Sequence, residues 1–339
     1  MSAVALSREQ ILAFRRRANG LDARAPINSD SLRFAAWAGL QDSMPRAALL
    51  SIHARVANTP PDVLEHEALA QVWGPRFSAY VIGAADVPVF TLGRLPDDAK
   101  GRRRAFETAD RLDAFLEGRR LKDREVHAAL RWGNSIRYAT ATGRVLIRWE
   151  GSFAPTVWTI PTPAMSETDA KLELTRRYLH VFGPGNAESF ARWAGVSARS
   201  GVERFRALES ELTEVVTPIG KAFLLKADEP LLRAEPQHMA GVRLLPSGDT
   251  YFLLWDRERE LLVPDARRRS ELWTTRVWPG ALLVDGEITG VWRRAHDKLS
   301  IDLWRPLTAV EREAVEAEAR ALPLPGLART MSVSFAQAA

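Results

Sequence analysis

The sequence has 339 residues, 46% of them hydrophobic and 26% charged, with a net charge of +5 and no cysteine. That length exceeds one ordinary hydrophobic core and points to two to four domains of globular composition. The absence of cysteine excludes disulfides and thiolate metal sites, and no apolar run approaches the roughly 18 residues of a membrane-spanning helix.

Taken in order, the chain alternates helical periods with short paired strands. Ser7 and Gln10 form a capping box for a helix through about Ala18. Two helical runs follow, one through Leu32, Ala35, Ala36 and Leu40, the other through Ala47, Leu49, Leu50, Ile52 and Val56. Between them lies Gly39 to Arg46. Pro45 suits the first turn of the second helix, and Asp42 or Ser43 can cap it. Gln41 is therefore expected at a helix–helix junction, beside free N–H groups and a positive dipole end. Asp62–Ala70 reads as a short helix, Val72–Ile82 as a hairpin turning at Gly74-Pro75-Arg76, and Ala84–Leu95 as a further helix.

The polar, basic segment Asp97–Arg104 reads as a linker. A similar unit follows, with helices over Ala105–Leu116, Asp123–Trp132 and Ser135–Ala141. Strands over Val145–Glu150 and Thr156–Ile160 flank a turn at Gly151–Pro155. Pro161-Thr162-Pro163 marks a boundary. Thr168 is placed to cap a helix through Phe182. Ala187–Ala194 and Ala198–Ala207 have the spacing of a helix-turn-helix, and Leu212–Thr217 and Lys221–Lys226 make a third hairpin. Beyond Pro236, Gly241–Leu245, Tyr251–Trp255 and Leu261–Val263 read as short strands. Asp285-Gly286 joins two more, Ala281–Val284 and Glu287–Arg293, with Lys298–Trp304 beside them. Thr308 and Glu311 cap a closing helix, Ala309 to Leu322.

The pattern predicts an α+β protein of tandem winged-helix type: three helix-helix-helix-hairpin units over 1–96, 97–163 and 164–235. A β-rich, barrel-like region follows over 236–339. Basic runs at Lys100–Arg104, Arg119–Arg124, Arg267–Arg269 and Arg293–Arg294 suit solvated helix faces or a groove that tracks phosphates. The six histidines are scattered without metal-ligand spacing, so no metal site is expected. There is no phosphate-binding glycine loop, no dinucleotide fingerprint and no G-x-S-x-G elbow. What is left is chemistry that needs few groups and no cofactor.

GLQ-x-x-x-PRAALL followed by HARV, within Leu32–Val56, resembles the first-domain signature of the AlkZ-like winged-helix DNA glycosylases. RRYLHVFGP (Arg176–Pro184), VRLLPSGDTY (Val242–Tyr251) and VDGEITGVWRR (Val284–Arg294) extend the resemblance along most of the chain. It implies a concave basic channel for damaged duplex DNA. A monomer is expected, in the cytoplasm at the nucleoid, since the N-terminus lacks a signal-peptide pattern and no apolar run is long enough to span a membrane. The resemblance also implies excision of N7- or N3-alkylated purines, including bulky adducts or interstrand crosslinks. Such a base already carries positive charge and leaves readily. The enzyme must hold a water near C1′ and stabilise an oxocarbenium-like sugar. The family's Q-x-Q or Q-x-D motif is understood to do this. Here it reads Gln41-Asp42-Ser43, and Tyr80 stands where the family often has histidine.

The candidate catalytic residues are Gln41, Ser43 and Asp42; Gln41 and Asp42 should point apart in a regular backbone but can share a side at a junction. Candidate DNA contacts are Arg46, His53, Arg76, Arg267, Arg268, Arg269 and Arg293. Two other readings stay open: a non-catalytic winged-helix DNA-binding protein, favoured by serine at position 43, and a protein–protein interaction module.

Overall fold

The computed structural model describes residues 4–44, 46–131, 136–150, 154–235, 241–326 and 330–337. Pro45, the first residues of the Gly151–Pro155 turn, and Pro236 lie outside the described residues. So do Trp132 and Ser135, expected at helix ends. The fold is mixed α+β, with helices packed around three sheets among the described residues.

The local signals hold where they rest on local hydrogen bonds. Ser7 and Gln10 close the capping box of helix Arg8–Ala18, and Thr308 and Glu311 that of helix Ala309–Arg320. The helix pair Ala187–Ala194 and Ala198–Ala207 turns through Gly195 at φ +70°, with Asn186 and Ser197 as caps. Such left-handed turns favour glycine because it lacks a Cβ. The helix Glu167–Phe182 is capped by Ser166 rather than Thr168, through Asp169 N–H. Asp97–Arg104 is not a linker. Asp98 accepts from Gly101 N–H and starts helix Ala99–Leu116, so the whole basic run Lys100–Arg104 is helical.

The first two hairpins join one six-stranded antiparallel sheet. Its order is Leu40–Gln41, Ala79–Gly83, Leu69–Trp73, Val145–Arg148, Thr156–Thr159 and Leu121–Lys122. The seam between the hairpins is the pair Gln71↔Ile147, reinforced by Trp149 N–H donating to Gln71 Oε1 at 2.6 Å. Position 41 is thus in a strand, not at a helix–helix junction. Its backbone groups find partners in a strand about forty residues later, which helical periodicity does not register. Asp62–Ala70 likewise holds a short 3-10 turn, Val63–Glu65, and the start of strand Leu69–Trp73. Ala84–Leu95 is broken into short helical pieces around Val87–Thr91.

The third hairpin, Leu212–Thr217 with Gly220–Leu225, gains a parallel edge strand from Val4–Ala5. The C-terminal sheet runs Val242–Leu245, Gly280–Val284, Glu287–Ala295, Lys298–Leu303 and Ser332–Gln337. Among the described residues its strand order does not close on itself, so it is an open sheet rather than the expected barrel. Tyr251–Trp255 and Leu261–Val263 are not strands: the first is turn and irregular chain, and the second is the end of helix Glu258–Leu262 with its cap residue Val263. An apolar run of three to five residues suits a buried turn or helix as well as a strand. Here Tyr251, Phe252, Leu253 and Leu254 are buried in the main core, beside Tyr178, Phe182, Phe190 and Trp193.

Candidate active site

Gly39, at φ +72°, turns the chain into strand Leu40–Gln41. A Cβ at Gly39 would stand 2.9 Å from Phe90 and 3.0 Å from Tyr80, so the approach excludes a larger residue. Leu40 and Gln41 pair with Val81 and Tyr80, and Asp42 N–H donates to Ala79 O at 2.8 Å. Extended backbone sends alternate side chains to opposite faces. Gln41 and Ser43 therefore share one side, where Gln41 Nε2 donates to Ser43 Oγ at 2.8 Å. Gln41 Oε1 accepts from Arg76 Nη2 at 3.3 Å.

Asp42 points the other way and is only 3% exposed. Its Oδ1 accepts from Ala48 N–H at 3.0 Å, capping helix Ala47–His53 from outside its first turn, and Gln71 Nε2 donates to Oδ2 at 3.4 Å. Burial raises its pKa from 3.8 to about 7, against the pull of Ala48 N–H and the Arg46 charge. Arg46 has φ +69° at the start of that helix, and its side chain makes no capping bond.

Arg76 sits at the tip of the first hairpin, where both Arg76 and Phe77 have positive φ, and its guanidinium lies 4.5 Å from the ring of Trp255. Gly248 closes another side: a Cβ there would be 3.5 Å from Gln41 Cδ. The turn carrying Gly248 is fixed by its neighbour Asp249, which takes both Arg55 Nη1 and Nη2, at 2.7 and 2.8 Å, and Ser51 Oγ at 2.7 Å. Thr250 Oγ1 donates to Asn19 Oδ1, tying the same turn to the first helix.

Of the expected DNA contacts, only Arg46 and Arg76 gather around the Gln41 segment. His53 is buried, and neither ring nitrogen has a hydrogen-bond partner among the described residues. Burial lowers its pKa to about 4. Its enclosed ring cannot meet a phosphate without rearrangement. Arg267, Arg268 and Arg269 lie on helix Ala266–Leu272. Arg268 is held by Glu271 at 3.2 Å and Arg269 by Val263 O at 2.9 Å, while Arg267 is exposed, with Glu271 at 3.7 Å. Arg293 is exposed on strand Glu287–Ala295, where it reaches Val277 O at 3.4 Å.

Sequence reasoning missed Gly248, Asp249 and Trp255 as neighbours of Gln41, and Arg55 as the anchor. The first two lie in the PSGDTY segment and Arg55 in HARV, so the conjunction of the two motifs carried the signal. Among the described residues no group of three or more potential ligands could hold a metal ion, and no helix is long and apolar enough to cross a membrane.

The model of the family described as DNA glycosylase AlkZ-like matches residues 34–323. An interstrand DNA cross-link repair glycosylase of Streptomyces sahachiroi is 33% identical over 160 residues, covering 44% of this chain and 43% of that relative. The aligned part is thus less than half the length of that relative. The solved structure of the Streptomyces sahachiroi DNA glycosylase AlkZ has the same fold, with a TM-score of 0.76, 98% of this chain and 100% of that chain covered, and 20% identity. With the family model spanning most of its length, the chain belongs to the AlkZ-like DNA glycosylase family.

Proposed function

We propose that the protein is a monofunctional DNA glycosylase that hydrolyses the N-glycosidic bond of N7- or N3-alkylated purines, bulky adducts and crosslinked bases included. Membership of the family supports this reading. The observation that carries it is the side-by-side placement of Gln41 and Ser43, with Gln41 held by Ser43 and Arg76 on the side opposite the buried Asp42. In this scheme the C1′–N bond breaks with its electron pair going to the cationic base, which leaves neutral. A water adds to C1′ and loses one proton to solvent. The Gln41 carbonyl oxygen accepts from that water and faces the developing positive charge on the sugar. Ser43 orients the Gln41 amide. Asp42, enclosed and bonded to Ala48 N–H, supports the backbone that carries them.

The same reading assigns the fold as three tandem winged-helix units over 1–96, 97–163 and 164–235, followed by a β-rich unit over 236–339. The protein acts as a monomer on damaged duplex DNA, in the cytoplasm at the nucleoid. Arg46, Arg76, Arg267, Arg268, Arg269 and Arg293 are its phosphate contacts, which position the duplex without reading sequence. A non-catalytic DNA-binding role is the second reading. What favours it is that both ends of the Gln41 amide already have protein partners. Release of base from duplexes containing N7-methylguanine or a bulky N7 adduct separates the two. Release supports the enzyme; tight binding without release from either substrate supports the second reading.

A further inference from the structure

The tip of the first hairpin separates two different environments. Arg76 reaches towards Gln41 and Trp255, whereas the next residue, Phe77, lines an open cleft of about 730 Å³ that also includes Tyr138, Lys100, Arg104 and Ser197. Phe77 and Tyr138 meet edge-to-face, with ring centroids 5.2 Å apart. Beneath Phe77, the buried Arg94 donates to Ala194 O and Trp73 O, its guanidinium 5.3 Å from the ring. Arg104 lies 3.8 Å from the Tyr138 ring, and Lys100 and Ser197 border the same cleft. The tip is also braced: a Cβ on Gly195 would stand 3.0 Å from Arg76 N.

The acids in the cleft already have donors. Asp97 is bound by Lys171, Asp98 accepts from Gly101 N–H, and Glu203 accepts from Arg199 at 2.8 Å. An aromatic wall beside cations, in a volume within the roughly 300–1,000 Å³ of small-ligand sites, is the chemistry that takes an unstacked base with its phosphate.

We propose that the cleft between Phe77–Tyr138 and Lys100–Arg104 is a second nucleotide subsite, which receives the unpaired partner nucleotide of the strand opposite the lesion. The inference rests on the proposed action at Gln41. For an adduct on one strand, which is not tied to the other, drawing the nucleotide out of the stack to Gln41 leaves its partner without a pairing edge, and the hairpin tip stands between Gln41 and the cleft. The base displaces the Arg104 guanidinium from over the Tyr138 ring and stacks there beside Phe77, and the released Arg104, with Lys100, meets its phosphate. Such stacking tolerates any base.

The test uses a duplex with an uncleavable tetrahydrofuran site and 5-iodo-2′-deoxyuridine opposite it, bound to the full-length protein and irradiated. The expected photo-crosslink maps to Phe77 or Tyr138. It is absent when the iodinated nucleotide is moved five positions away. The preference for this duplex over an intact one falls roughly tenfold in Tyr138→Leu, and the crosslink falls in the double variant Lys100→Glu/Arg104→Glu. Both side chains of that double variant are exposed, and its melting temperature checks that it is folded. A crosslink mapping elsewhere, no crosslink at saturation, or an unchanged preference in folded variants overturns the proposal. Because the site is uncleavable, these readouts do not depend on base release, so failure here and failure of the glycosylase reading are told apart.

Discussion

Arg55 and Asp249, 194 positions apart, form a buried two-pronged ion pair at 2.7 and 2.8 Å. Their side chains are 2% and 0% exposed. With Ser51 it pins the Gly248 turn to helix Ala47–His53 and the residues just after it, and so sets one wall beside Gln41. Removing one partner of a buried pair strands the other charge. Asp249→Ala is expected to destabilise the fold by about 3–5 kcal/mol in chemical denaturation. A loss below about 1 kcal/mol would mean that the turn is held by something else.

Gln41→Ala is expected to slow single-turnover base release by about 10²–10³, with duplex affinity nearly unchanged. Ser43→Ala costs less, because it removes only the group that orients the amide. Ser43→Gln rebuilds the family's Q-x-Q pattern on the same side of the strand and is expected to raise the rate. A Gln41→Ala variant as fast as the wild type removes the carboxamide from the mechanism.

Burial raises the Asp42 pKa from 3.8 to about 7. The native state therefore binds a proton that the unfolded chain has already lost across that window. Stability from this group is fully present below about pH 3.8 and is lost as pH rises through about 7. Asp42→Asn keeps an oxygen for Ala48 N–H but does not titrate. The stability difference between Asp42→Asn and the wild type should grow in the variant's favour from pH 4 to pH 8. A difference independent of pH would show that Asp42 is ionised throughout.

His53 has the opposite sign. Burial lowers its pKa from 6.5 to about 4, so it folds neutral. Its contribution is present above pH 6.5 and lost as pH falls through about 4. His53→Gln should lose less stability than the wild type between pH 6.5 and pH 4, measured by melts across that range. Equal losses would assign the acid sensitivity to other groups.

Duplex affinity is expected to fall linearly in log K against log salt. Replacing Arg267, Arg268 and Arg269 together should weaken binding with little change in sequence preference. The exposed Arg267 should account for most of that effect, since Arg268 and Arg269 bind their own helix and its flank. Unchanged affinity in the triple variant would remove this helix from the interface.

How much of this was legible in the sequence follows the range of the interactions. Ser7–Gln10, Thr308–Glu311 and the Asp285-Gly286 hairpin are settled by residues within a few positions of one another, and the sequence displays them. Gln41 and Asp42 point to opposite sides because the backbone there is extended and strand-paired; the expected helix–helix junction, where they could share a side, did not fix that. The strand partner of Gln41, the Trp255–Arg76 stack and the Arg55–Asp249 pair are tertiary. No periodicity encodes them, and the motif resemblance flagged only the segments. Tyr251–Trp255 was misread because burial of a short apolar run does not reveal its backbone.

The seam at Gln71 has a practical consequence. That one side chain, on the first hairpin, accepts from Trp149 N–H at the second hairpin and donates to Asp42, which follows strand Leu40–Gln41. Ending a recombinant fragment at residue 96 would uncouple it at both levels. The strand Leu69–Trp73 would lose its neighbour Val145–Arg148 and become a bare sheet margin, a template for pairing with other chains. Asp42 would keep its carboxylate near Gln71 but lose the backstop that orients the amide. Expression trials of the Gln41 segment therefore need a boundary no earlier than strand Thr156–Thr159, and shorter fragments are expected in the insoluble fraction.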